Sequence, residues 1–539
     1  MKSMKAFLQH GLMTAMVIGI TSCNDTREEI AMPSLDLSEE HLIPKPTKMV
    51  TSNGSFRLDQ FTRIVTQGED ERLAEVASFL AGKIDQKAGI RPGVNTQTED
   101  EYDPIILLRQ LKDASWANQE AYRLTISRDS LILEVPTAEA AFRGVQTIRQ
   151  LIPDVSNDTL ASHPIWPVAA GTIEDYPNFG FRGSMLDVAR HFFSVEDVKK
   201  YIDLLAYYKI NVLHLHLTDD QGWRIEIKSW PKLTEVGGST EVGGESGGFF
   251  TQDDYKDIVA YATSHFMTII PEVDMPGHTN AASVSYPFLD GTGKPLKLYE
   301  GTRVGFSTFD TRKDTVYAFI DDVVREISAL TPGPYFHIGG DESHSTKKDD
   351  YIYFVNRVEK IVRKHGKTMV GWDEIAEADV ESSSIAQFWA DAENATKAVN
   401  KGMKVILSPA KKAYLDMQYD TLSKHGLHWA AYIPVDTAYI WNPETYVPNI
   451  PKDRILGVEA PLWSETISNI QELEYLAFPR AIGYAELSWS QEENRDWEDF
   501  RVRLAHQTPY LDMMDVSYYP SPRIDWVKPP EKSRQILKD

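Results

Sequence analysis

The sequence predicts an α/β chain: a (β/α)8 barrel of the TIM type preceded by a smaller α+β domain. Three observations carry this. Beyond Pro177, short apolar runs recur at 183–188, 212–217, 268–273, 335–340, 368–372, 385–389, 405–407 and 456–460. Most of them are separated by segments of helical period, and eight such strands in about 300 residues is the count of a TIM barrel. Each run also leads into a polar or aromatic residue, and a barrel enzyme works at the C-terminal ends of its strands.

The elements follow in chain order. Residues 1–22 read as a signal peptide: Lys2 and Lys5 precede an apolar run at 11–20 that is too short to span a bilayer. Cys23, the only cysteine, follows Thr21 and Ser22, in the pattern of a bacterial lipoprotein signal. The expectation is an exported chain, lipidated at Cys23 and anchored to a membrane at the periplasm or the cell surface. One cysteine also excludes a disulfide framework. Residues 23–41 are polar and acidic, a tether.

The small α+β domain is expected over 42–172. It has an amphipathic helix at 70–88, a buried strand at 105–109, a hairpin from 122–126 and 131–135 around a polar turn, and a helix at 138–152. The barrel is expected over 173–515 and a tail over 516–539. Ser194-x-x-Asp197 and Thr251-x-x-Asp254 read as capping boxes that start barrel helices, and Val195, Val198, Ile202 and Leu205 form one apolar stripe. The 539 residues are 42% hydrophobic and 25% charged, ordinary values for a folded protein, with a net charge of −23. That charge argues against nucleic acid as a partner, since phosphate backbones need clustered Lys and Arg.

The strand ends carry a consistent chemistry. Arg190 and His191 follow the first strand, Asp219 and Asp220 the second, Asp274 and His278 the third, Asp341 and Glu342 the fourth. Trp372 ends the fifth and Trp389 the sixth; Tyr414 and Asp416 follow the seventh, Trp463 and Glu465 the eighth. Sugars present apolar C–H faces to aromatic rings and hydroxyls to charged groups. Trp372, Trp389 and Trp463, with Trp429 and Trp441 from the long segment before the last strand, suit the first task. Arg190, Asp416 and Glu465 suit the second.

A second reading starts from His214 and His216, two apart on one strand and followed by Asp219 and Asp220, a metal-ligand spacing. The fifth and sixth strands end in tryptophans, which ligate no metal, so these histidines read better as structural. Metal catalysis is therefore not expected. A glycan-binding protein on an inactive barrel is the third reading, disfavoured by the Asp341–Glu342 pair.

The sequence closely resembles family 20 glycoside hydrolases, the β-N-acetylhexosaminidases, from about residue 43 to 510. The carriers are RGSMLDVARHF (182–192), NVLHLHLTDDQGWRIEI (211–227), IIPEVDMPGHT (269–279), HIGGDE (337–342), VGWDEI (370–375), YLDMQY (414–419) and GVEAPLWSET (457–466). The resemblance implies a glycan partner with a terminal β-linked GlcNAc or GalNAc, cleaved with retention, the sugar's own 2-acetamido oxygen acting as nucleophile. It implies that Glu342 is the general acid and base, that Asp341 orients the acetamide N–H and that Tyr414 bonds the acetamide oxygen. Arg190, Asp416 and Glu465 match the hydroxyl clamp, Trp372, Trp389 and Trp463 the acetamide box, with Trp429 flanking it, and Asp219 and His278 a pair supporting the acid. The resemblance implies no metal and no organic cofactor. Asn178, Phe181 and Phe250 depart from the family's usual residues without removing any of these roles.

Overall fold

The computed structural model describes residues 32–95, 103–112, 115–152, 165–294 and 296–527. Cys23, the segment 1–22, the first part of the 23–41 stretch and residues 528–539 lie outside them. Among the described residues no helix is long and apolar enough to cross a membrane.

The small domain is a seven-stranded sheet of β1 (Lys48–Leu58), β2 (Arg63–Gln67), β3 (Gly93–Val94), β4 (Ile105–Gln110), β5 (Tyr122–Ile126), β6 (Ser130–Val135) and β7 (Trp166–Asp175). Its order is β1-β7-β5-β6-β4-β2-β3. The helix Arg72–Ala88 buries Leu73, Val76, Ala77, Leu80, Ala81 and Ile84, an i, i+3, i+4 stripe, and ends at Gly89, whose φ of 67° suits a left-handed cap. The helix Ala138–Leu151 is capped by Thr137, whose side chain accepts the Ala140 N–H. The expected hairpin is present as the antiparallel pair β5–β6. Strands β1, β2, β3 and β7 lie outside the expected elements, and β7 runs through Asp175. Leu37, inside the stretch read as a tether, is fully buried.

Eight strands close the barrel: β8 (Phe181–Asp187), β9 (Val212–His216), β10 (Thr268–Glu272), β11 (Tyr335–His337), β12 (Thr368–Trp372), β13 (Ile385–Phe388), β14 (Lys404–Leu407) and β15 (Ile455–Leu462). All neighbours pair in parallel, β15 returning to β8. The strands fall where the apolar runs predict them. The largest difference is β11, which stops at His337 because Gly339 and Gly340 turn out of the sheet at φ 65° and 98°. Both predicted capping boxes form, each with its two reciprocal hydrogen bonds.

The barrel interior is layered. Phe181, Val212, Ile270, Tyr335, Val370, Ile385, Ile406 and Leu456, one from each strand, make an apolar floor at the N-terminal end. Above it lies a buried polar layer, and above that the mouth. The two domains share a desolvated ion cluster: Glu120 of the small domain takes both Arg182 Nη atoms at 2.9 and 2.6 Å and Arg143 Nε at 2.9 Å. Val516, Tyr519 and Ile524, in the stretch read as a tail, are also buried.

Candidate active site

The segment after β11 is built to turn. Asp274, past the end of β10, accepts the Gly340 N–H at 3.0 Å, and Tyr351 donates its hydroxyl to the Gly340 carbonyl at 2.7 Å. The turn delivers Asp341 and then Glu342, itself at φ 45°, to one place at the mouth. His278 Nε2 stands 3.7 Å from Asp341 Oδ2 and 3.8 Å from Glu342 Oε2. Adjacent residues that would face apart in a strand therefore share one imidazole.

His278 is held from behind. Its Nδ1 lies 3.1 Å from Asp219 Oδ1, while Asp219 Oδ2 receives His216 Nε2 at 2.9 Å and Arg190 Nη2 at 2.8 Å. Burial opposes the charge on His278, but Asp219, Asp274 and Asp341 outweigh it and raise its pKa well above the ordinary value. Asp219 is held far below the carboxylate range because Arg190, then His278 and His216, overcome its burial. Glu342 moves the other way: burial first, then the charge of Asp341, raise its pKa, with His278 and Arg190 opposing. A carboxyl that keeps its proton longer suits general acid work.

The aromatic residues form a continuous wall. Ring centroids run from Trp372 to Trp463 at 5.8 Å, Trp463 to Tyr414 at 6.2 Å, Tyr414 to Trp429 at 6.0 Å and Trp429 to Trp389 at 6.3 Å. Trp372 is buried and donates its indole N–H to Glu272 at 3.1 Å, Trp389 donates to Glu374 at 3.1 Å, and Trp429 is 57% exposed at the rim. Trp441 does not join them: its ring meets Tyr446, and its indole N–H goes to the Ala438 carbonyl. The Arg190 guanidinium lies 4.8 Å over the Trp463 ring, between the wall and the acids.

The unpaired polar atoms are concentrated here. Both carboxylate oxygens of Asp416, Glu465 Oε2, Asp341 Oδ1 and Arg190 Nε are buried without a hydrogen-bond partner at good geometry among the described residues. Buried polar groups are rarely left so. Acceptors and a cation facing an aromatic wall fit a polyhydroxylated ring.

His214 and His216 both lie against buried carboxylates. His214 bonds Glu459 at 2.9 Å and lies 3.0 Å from Glu272, and His216 bonds Glu272 at 2.6 Å as well as Asp219. Four residues of this neighbourhood escaped sequence reasoning: Glu272, His337, Glu459 and Glu374. The first three belong to the polar layer under the mouth, and only the inward alternation of the strands hinted at them. His191 stays outside the sugar-facing set and ties β8 to β15 through Ser464.

Comparison with known proteins gives the same picture. The catalytic-domain model of glycosyl hydrolase family 20 matches residues 179–350 and 343–492, and the model of that family's domain 2 matches 39–176. The chain belongs to glycosyl hydrolase family 20. A β-N-acetylhexosaminidase from Cellulomonas fimi is 38% identical over 492 residues, covering 90% of this chain and 97% of that one. The family 20 structure from Streptomyces coelicolor is 43% identical with a TM-score of 0.85, covering 90% of this chain and 99% of that one. A mutant β-hexosaminidase from Streptomyces plicatus, solved with the product GlcNAc, is 44% identical with a TM-score of 0.84, covering 90% and 98%. The family 20 assignment makes the chain a glycoside hydrolase of β-N-acetylhexosaminidase type. It also accounts for the two-domain architecture, a small domain joined to a barrel.

Proposed function

We propose that this hydrolase acts from the non-reducing end, removing terminal β-linked GlcNAc or GalNAc with retention through an oxazolinium intermediate. The observation that carries the reading is the shared imidazole: Asp341 and Glu342 both approach His278 Nε2 from one strand end. A pair in which one carboxylate attacks and the other protonates stands across the scissile bond, about 5 Å apart, and substrate assistance is the known exception.

In the first step the acetamide oxygen bonds to C1 as the glycosidic C1–O bond breaks, and Glu342 gives its proton to the leaving oxygen. Asp341 accepts the acetamide N–H and balances the positive charge that develops on the ring. Tyr414 donates to the attacking oxygen, with Trp372, Trp389 and Trp463 around the acetamide methyl. In the second step Glu342 takes a proton from water, the water oxygen bonds to C1, and the C1–acetamide bond breaks to leave a β sugar. Asp416, Glu465 and Arg190 hold the ring hydroxyls, which gives their unpaired atoms partners. Trp429 flanks the leaving side, and Asp219 with His278 supports the acid.

The test compares an aryl β-N-acetylglucosaminide with the matching glucoside, which lacks the acetamide. We expect the second to be a very poor substrate and the first-formed sugar to be the β anomer by NMR. Comparable cleavage of both, or an α product, would overturn the reading. The N-terminus supports a lipid anchor at Cys23 on the periplasmic or outer surface. Incorporation of labelled fatty acid should be lost in Cys23→Ser; incorporation unchanged by that substitution would refute the anchor.

A further inference from the structure

The polar layer beneath the mouth converges on one carboxylate. Glu272, wholly buried at the end of β10, lies 2.6 Å from His216 Nδ1 and 3.0 Å from His214 Nε2 through Oε2. Through Oε1 it lies 3.1 Å from the Trp372 indole N–H and 3.1 Å from His337 Nδ1. His216 has a carboxylate on each ring nitrogen, Glu272 on one side and Asp219 at 2.9 Å on the other. A neutral imidazole has one donor and one acceptor, so only the imidazolium satisfies both contacts.

From these contacts we infer that Glu272 and His216 are positioning residues for the acid step, forming with Asp219 and His278 a single alternating chain of carboxylate and imidazole that ends at Glu342. The argument is geometric. With both N–H groups committed, the His216 ring cannot turn, and it pins Asp219 Oδ2 together with Arg190 Nη2. Asp219 Oδ1 is then left to accept His278 Nδ1–H at 3.1 Å, which aims His278 Nε2 between Asp341 and Glu342. Those last gaps of 3.7 and 3.8 Å are of the kind that close when substrate binds. Because Glu272 also fixes Trp372, the same buried group sets the acid support and one ring of the aromatic wall. The charges agree. Burial disfavours charge on His216, yet the two carboxylates hold its pKa well above the ordinary value. Glu272 in turn is held well below its ordinary range, with His216 foremost in outweighing its burial.

This inference rests on Glu342 being the proton donor proposed above, and the experiment separates the two. Glu342→Gln, His216→Gln and Glu272→Gln are compared on substrates whose leaving groups run from 2,4-dinitrophenol, which needs no proton, to a simple alcohol. Glu342→Gln is the reference and should lose far more on alcohol leaving groups. His216→Gln breaks the chain while leaving the contacts of Glu272 with Trp372 and His337 in place. In it we expect kcat/KM to fall about 10- to 100-fold for the alcohol and by less than about 3-fold for dinitrophenol. Glu272→Gln should show the same slope with an added rise in KM from Trp372. A uniform loss across leaving groups, or none, in the chain variants beside a steep reference would overturn this inference alone. A flat reference would overturn the role of Glu342 itself. Should the variants fail to fold, neutron diffraction from the wild type decides: deuterium on both ring nitrogens of His216 is expected, and a neutral His216 would refute the chain.

Discussion

The Asp274 carboxylate occupies the space that a side chain at residue 339 would need: a Cβ built on Gly339 overlaps Asp274 Oδ1. Gly339 is also at φ 65°, which costs a non-glycine residue about 1 kcal/mol or more. The glycine thus lets Asp274 reach the Gly340 N–H and lets the next two residues share the mouth. Gly339→Ala should lower stability by about 1–3 kcal/mol in urea unfolding and reduce kcat/KM by a larger factor than that loss explains at temperatures where the variant is folded. A variant with unchanged kcat/KM would show that the turn does not set the acid geometry.

The environment of Glu342 fixes the direction of two pH shifts. A proton donor works below its pKa, so activity falls as pH rises through it. After burial, the charge of Asp341 is the main influence raising that pKa, and His278 is the first one lowering it. Asp341→Asn should therefore move the alkaline limb of kcat/KM to lower pH, and His278→Asn should move it to higher pH. Profiles on a substrate with a moderately poor leaving group check this. Shifts in the same direction would mean that Glu342 is not the group being titrated.

Much of this was legible in the sequence, and the exceptions have physical causes. A barrel strand such as β12 is buried along nearly its whole length, so it reads as a short apolar run ended by a functional residue. In the small domain, β1 is largely exposed along its first half and its register breaks between Thr51 and Ser55. β7 starts beside Pro167 and holds alanines and Gly171. Neither shows the period that marks a strand. At the site, strand ends revealed Arg190, Asp219, His278, Trp372 and Trp463, because one residue at a known end suffices. Glu272 was hidden because its meaning lies in partners far along the chain, His216, His337 and Trp372, which only the closure of the barrel brings together.

Trp372 and Trp429 separate packing from recognition. Trp372→Ala removes a buried ring that also satisfies Glu272, so it should cost about 3–5 kcal/mol of stability. Trp429 is 57% exposed, and Trp429→Ala should stay within about 0.5 kcal/mol of wild type while raising KM for substrates extended beyond the terminal sugar. Thermal unfolding together with kinetics on a monosaccharide and a disaccharide substrate reads both effects. Equal KM changes on the two substrates would remove Trp429 from the leaving side.

The histidines that suggested a metal are predicted to leave activity indifferent to chelation. His216 has each ring nitrogen on a carboxylate, an arrangement that wants protons where a ligand needs a lone pair. Prolonged dialysis against EDTA should preserve kcat/KM in full. Loss of activity that zinc or another divalent ion restores would reinstate the metal reading.

Glu120 should carry a large share of the coupling between the two domains. It accepts from Arg182 and Arg143, whose side chains are fully buried, so removing it leaves Arg182 without an anionic partner among the described residues and Arg143 with Glu139 alone at 3.0 Å. Burial alone would raise its pKa, but the two arginines outweigh that and hold it at about 2, against an ordinary 4.5. A depressed carboxylate contributes stability that is complete above its unfolded pKa and disappears as pH falls through the folded one. Here the contribution is about 3 kcal/mol at neutral pH, fading between about pH 4.5 and 2. Glu120→Gln should therefore unfold about 3–5 kcal/mol more easily at pH 7, with the gap to wild type narrowing steadily below pH 4.5. Urea titrations of both proteins from pH 7 to 3 measure it. A gap that holds constant across that range would show that Glu120 acts through packing and not through its charge.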